Sequence, residues 1–265
     1  MKRGSLAFIL PTLVVLLAFF VLPIIRLLPA SVSADEGLML YAEIITNPRY
    51  ASSMISTIVL SVVVTAASVL LGTFTGLFLE KNDFPGRNAV VSLMTLPLSF
   101  PGVVVGFMII MLGGRNGLLG MATQSAGLGK LVFAYGMAGL FAGYVYFSIP
   151  RVVTTVMAAA KKINPMYEEA ARTLGAGSWR ILLDVTLPAL TPALVSTGAI
   201  CFATSMGAFG TAFTLATDIN VLPITICTEF TLSANIAAAS MLSVVLGAIT
   251  WVMLLIARRW SARDV

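Results

Sequence analysis

Histidine is absent from this sequence, cysteine occurs only twice, and Asp, Glu, Lys and Arg together make up only 10% of the 265 residues. Each shortage excludes something. Without histidine, and with Cys201 and Cys227 in or beside apolar segments at no metal-ligand spacing, zinc sites and disulfide scaffolds are ruled out. The two cysteines read as small apolar thiols buried in helices, with a bridge on the outer side the less favoured state. Charge this scarce, beside a 58% hydrophobic share and a mean hydropathy of +0.99, excludes an ordinary water-soluble domain. A nucleotide-binding loop is missing as well. Gly127-Leu128-Gly129-Lys130 has neither the leading Gly nor the following Ser or Thr of a P-loop.

What is present is long apolar runs. Stretches free of charged residues cover 4–25, 50–79, 88–114, 131–150, 185–217 and 230–257, each long enough for the roughly 20 residues that cross a bilayer as helix. They predict an all-α integral membrane protein in one domain, residues 1–265, with spans at about 6–28, 52–79, 89–112, 131–150, 187–212 and 236–257. The first run of 22 residues exceeds the 7–15 of a cleavable signal, and Pro23 and Arg26 precede the small residues Val32-Ser33-Ala34, so it reads as a retained span.

The remaining charges give an orientation. With both termini cytoplasmic, Lys2, Arg3, Lys81, Arg87, Arg151, Lys161, Lys162, Arg172, Arg180, Arg258, Arg259 and Arg263 fall inside. Only Arg26, Arg49, Arg115 and Lys130 fall outside, a split of 12 to 4. The same distribution accounts for the net charge of +5 through contact with anionic membrane lipid, leaving no need for a nucleic-acid partner. Small-residue pairs Gly72 with Gly76, Gly102 with Gly106, and Gly139 with Gly143 read as helix-packing positions.

The segment 151–184 is polar and patterned where the rest is apolar. Asn164 is a good N-cap, Pro165 suits the first helical position, Glu168 and Glu169 sit near the positive helix start, and Gly175 supplies a left-handed stop. The result is a helix of about ten residues with Met166, Ala170 and Leu174 along one side and Glu168 spaced to pair with Arg172. So short a helix is marginal alone. It packs either on the membrane surface or its own bundle, or in a groove of another protein.

Glu169-Ala170-Ala171, then Gly175, then Val185-Thr186-Leu187-Pro188 resembles the EAA loop of binding-protein-dependent type I ABC importer permeases, with Val185 where Ile is usual. The resemblance implies a six-helix permease fold with a cytoplasmic coupling helix in the loop at about 151–186. It implies no catalytic activity and no cofactor on this chain, with ATP and Mg held by a cytoplasmic ABC ATPase dimer. Further implied partners are a second permease subunit, favoured as non-identical, and a periplasmic or lipid-anchored substrate-binding protein. By the same resemblance Glu168, Glu169, Ala170, Ala171 and Gly175 contact the ATPase, while Leu187 and Pro188 begin the fifth span. Within the family, Gly207-Ala208-Phe209-Gly210-Thr211 and Leu222-Pro223-Ile224 resemble permeases for polyamines, ferric iron or aminophosphonates.

For the substrate pathway, polar residues at membrane depth are the candidates: Ser92, Thr95 and Ser99 in the third span, Tyr144 and Ser148 in the fourth, Thr204, Ser205 and Thr211 in the fifth. Hydroxyls that bond back to their own helix are the bland reading of each. Pro97 and Pro101 are expected to kink the third span and free carbonyls toward a cavity. Asp218 and Glu229 stand near the outer ends of the last two spans and read first as solvated loop charges. An ion-coupled secondary transporter is the competing class. It leaves the EAA pattern without a reason, and no ionisable residue is evident inside a span.

Overall fold

The computed structural model describes residues 3–32, 37–215, 217 and 219–261; Lys2, Ser33, Ala34, Asp35, Glu36, Asp218 and Arg263 lie outside them. Among the described residues every regular element is helical. Six stretches are long and apolar enough to cross a membrane: Leu10–Ala30, Pro48–Lys81, Gly102–Ser125, Met137–Ala160, Ser178–Met206 and Ile236–Trp260.

The first span consists of α1 (Arg3–Leu16) and α2 (Leu22–Ala30) joined by the π turn Leu17–Val21. A single turn, α3 (Glu43–Thr46), leads into the second span, α4 (Pro48–Lys81). The Asn47 side chain caps α4 by accepting from the Arg49 N–H at 3.0 Å. The third apolar run is split into α5 (Arg87–Thr95), a 3-10 turn (Leu96–Ser99) and α6 (Gly102–Gly113), followed by α7 (Leu118–Ser125). Then come α8 (Met137–Ala160), α9 (Pro165–Thr173) and the one-turn α10 (Ser178–Ile181). A π turn (Leu182–Thr186) runs on into α11 (Leu187–Met206), followed by α12 (Phe209–Leu215), α13 (Leu222–Thr231) and α14 (Ile236–Ser261).

Helix α4 packs chiefly on α8 and α11, and α14 closes the bundle against α11 and α13. Gly72 and Gly76 permit the tightest of these approaches, since a Cβ there would come within 2.6 Å of Val152 Cβ and 2.9 Å of Val156 Cβ. Gly102, Gly106 and Gly143 lie against Thr211 and Thr214 of α12, whereas Gly139 abuts the backbone of Ala134. No residue in the apolar window of the first span is buried, and α2 lies against α14 at the edge of the bundle.

Three sequence boundaries move. The fourth span begins at Met137 and continues to Ala160, past Pro150 and Arg151; Gly136 is extended and marks its start. The loop expected from 151 is therefore shorter, and Arg151 belongs to a helix. The third span is interrupted, not just kinked: Phe100 and Pro101 are extended between the 3-10 turn and α6. Leu187 and Pro188 do not begin the fifth span, because the backbone is already helical from Ser178. The Leu187 N–H bonds to Leu182 O, five residues back, and this wider turn makes room for the proline ring. The same device, a π turn ahead of a Leu-Pro pair, occurs at Leu22-Pro23.

Candidate functional site

Two regions gather the sequence-predicted residues. The first is the α9 end of the bundle. Asn164 caps α9 as its sequence suggested, its side chain accepting from the Met166 N–H at 3.1 Å, and Gly175 ends the segment at φ +81°. No residue of α9 is buried. Met166 and Tyr167 are exposed on it and Leu174 follows at 88% exposure, an apolar face left largely open among the described residues. Glu169 and Ala170 are exposed, Ala171 partly so.

Glu168 turns the other way. Its carboxylate accepts from Lys81 Nζ at 2.5 Å and from Thr186 Oγ1 at 3.1 Å. Partial burial pushes the carboxyl up, but the bond and charge of Lys81 and the hydroxyl of Thr186 outweigh this, so its pKa falls below the ordinary value. The pairing expected with Arg172 is thus replaced by one with the end of α4, where the Lys81 side chain reaches Glu168. Leu187 is half-buried and Pro188 exposed, both inside the continuous helix.

The second region lies deep in the bundle, where the broken third and fifth spans meet. Thr211 Oγ1 donates to Gly102 O at 2.9 Å, tying α12 to the start of α6. Tyr144 Oη donates to Ala208 O at 2.5 Å, satisfying a carbonyl released where α11 stops. Both hydroxyls are buried and committed to backbone. Beside them is a pocket of about 300 Å³, lined by Phe100, Gly102, Phe147, Arg151, Thr204 and Thr211 among others. Arg151 Nη1 donates to Thr204 Oγ1 at 3.3 Å, and no ion pair to Arg151 forms among the described residues.

Of the other pathway candidates, Ser92 and Ser99 are exposed and Thr95 bonds back to Ser92 O at 2.9 Å, so the α5 residues do not reach this pocket. Ser205 is buried without a hydrogen-bond partner among the described residues. So are the hydroxyls of Ser61, Thr65 and Ser68 on α4 and Thr197 on α11, which places unpartnered hydroxyls on both of these packed helices. Sequence reasoning missed Arg151 by counting it as a loop cation. The available signal was that a proline can sit within a membrane helix, so Pro150 need not end one.

At the opposite end, Glu229 of α13 is buried and pairs with Arg49 at 3.0 Å, correcting its reading as a solvated loop charge. Thr57 Oγ1 accepts from the Leu222 N–H at 2.7 Å, and Thr225 and Ser53 hydroxyls bond at 2.8 Å, so α13 is fastened to the start of α4.

A family model described as "Binding-protein-dependent transport system inner membrane component" matches residues 68–263. The molybdenum transport system permease protein ModB of Escherichia coli (strain K12) is 31% identical over 224 residues, covering 83% of this chain and 96% of that protein. The sulfate transport system permease protein CysT of the same strain is 34% identical over 179 residues, 68% of this chain and 64% of that one. Among solved structures, a bacterial ABC transporter that imports the acidic polysaccharide alginate aligns with a TM-score of 0.83 at 20% identity, covering 98% of this chain and 95% of that one. The inward-facing MetNI methionine ABC transporter aligns at 0.62 and 17%, covering 82% and 96%.

Proposed function

This chain belongs to the binding-protein-dependent transport system inner membrane components and is a membrane-embedded ABC importer permease subunit, and from that premise we propose that it is driven through α9 and carries a small oxyanion. On this reading the α9 end is cytoplasmic, as are both termini. ATP and Mg are bound and hydrolysed by a partner ATPase dimer. A second permease subunit completes the pathway, and a binding protein delivers solute to the α13 end.

The observation that carries the driving role is the capped helix α9, whose apolar face is exposed among the described residues. A helix of nine residues holds its shape in water only with packing to support it. Glu168 anchors it from behind through Lys81 and Thr186, leaving Glu169, Ala170 and Ala171 for a cleft in the ATPase. The small alanines permit close approach and Gly175 makes the turn away.

For the cargo, relatives named for molybdenum and sulfate transport favour a tetrahedral dianion, since molybdenum in neutral water is molybdate. Of the solutes suggested by the fifth-span resemblance, aminophosphonate shares an oxyanion group, while polyamines and ferric iron are cations. The molybdenum and sulfate relatives lend polyamine transport no support.

Glu169→Lys and Gly175→Asp test the coupling role. Each is expected to leave membrane insertion unchanged, to lower uptake at least about tenfold, and to weaken copurification of the ATPase. Normal uptake with normal copurification in both variants would remove α9 from the coupling role.

A further inference from the structure

Among the residues that line the deep pocket, Arg151 is the one that carries a charge. It lies nine positions before the end of α8 at Ala160, about 14 Å along the helix at 1.5 Å per residue. A guanidinium at such depth is costly, and in membrane proteins it faces an interior cavity and finds a partner there. Here it lines a pocket of about 300 Å³, room for a small solute with some of its water, at the junction of the broken third and fifth spans and α8.

Its neighbours leave its charge unanswered. Thr204 accepts one of its five N–H donors, at 3.3 Å. No carboxylate pairs with it among the described residues. The acids that the structure does pair are elsewhere: Glu168, Glu80, Asp83 and Asp184 toward the α9 end, Glu229 at the opposite end. A planar fork of donors suits a tetrahedral oxyanion better than an ammonium would, because two parallel N–H groups meet two anion oxygens.

We propose that Arg151, held by Thr204, is a binding point for a small oxyanion within the membrane-spanning pathway of this subunit. This rests on the oxyanion reading above and adds a residue and a location to it. A single guanidinium held by a neutral hydroxyl gives a weak site, which suits a passage that must release its cargo. Thr211 and Tyr144, bonded to Gly102 O and Ala208 O, hold the broken backbone that walls the pocket.

The test uses the complete transporter, permease with ATPase and binding protein, in proteoliposomes supplied with radiolabelled sulfate, molybdate or spermidine. Arg151→Gln is expected to lower sulfate or molybdate uptake about tenfold or more, while ATP hydrolysis stimulated by the binding protein persists within about twofold. Should Arg151→Gln fail to assemble, Arg151→Cys provides the second route. Prepared with Cys201 and Cys227 replaced by Ser and modified inside the assembled complex, it should regain uptake with a cationic aminoethyl thiol reagent and not with a neutral methyl one. Wild-type oxyanion uptake that Arg151→Gln leaves intact, or equal rescue by both reagents, overturns the proposal and spares the oxyanion reading. Wild-type uptake of spermidine with neither anion overturns both.

Discussion

One carboxylate oxygen of Glu168 accepts from both Lys81 and Thr186, so a single residue joins α9 to the end of α4 and to the helix leading into α11. Its pKa is depressed, so what it adds to stability is present above the ordinary value of 4.5 and is lost as pH falls through the lower folded value. The protection of α9 amides, after correction for the intrinsic pH dependence of exchange, should therefore be level from pH 8 to 5 and fall only below about 4.5. A loss of protection near neutrality would contradict this anchor. Lys81 is 42% exposed, so the pair contributes no more than about 1 kcal/mol, and its value is directional. Residue identity made some of this legible: Asn164, Pro165 and Gly175 act locally, and the helix they frame is found where they place it. Partners distant in sequence were not legible. Nothing near Glu168 in the chain points to Lys81, 87 positions away.

At the scale of elements, apolar length was the readable quantity and interruption was not. The charge-free run ending at Pro150 looks like a finished span, yet α8 continues to Ala160 because Val152, Val153 and Val156 are buried there, the first and last of them against Gly72 and Gly76. That continuation carries Arg151 into the bundle. In the fifth span Leu187-Pro188 resembles a helix start, and the helix passes through it by way of the π turn Leu182–Thr186. A π turn holds one residue more than α-geometry needs. Deleting Val185 should restore α-geometry and drive the Pro188 ring against the carbonyl four residues back, bending the segment between α10 and α11. Uptake should then fall at least about tenfold while α11 and α14 still insert, as read by uptake assays alongside protease protection. Full uptake after the deletion would show that the wider turn is immaterial to coupling.

For the whole molecule, the two ends of the bundle are held in different ways. At one end α9 is anchored by one carboxylate, and none of its residues is buried. At the other, α13 is fastened by the Arg49–Glu229 pair, by Thr57 on the Leu222 N–H and by Thr225 on Ser53; the Tyr50 hydroxyl also donates to Glu229. Arg49→Ala would leave Glu229 buried and short of its cation. That should cost about 1–3 kcal/mol, below the full cost for a buried pair because Arg49 is half-exposed. Thermal unfolding of the purified permease in detergent should show the loss, and Arg49→Lys should recover part of it.

Between these ends α4 packs on α11, and buried hydroxyls on the two helices, Ser61, Thr65 and Ser68 on one and Thr197 and Ser205 on the other, are bonded to no other described residue. Two helices joined by hydrogen bonds must break them to slide, and each broken bond in an apolar interior is expensive. These five hydroxyls hold no such bond among the described residues, so they add no latch of that kind to a change in the packing of the spans.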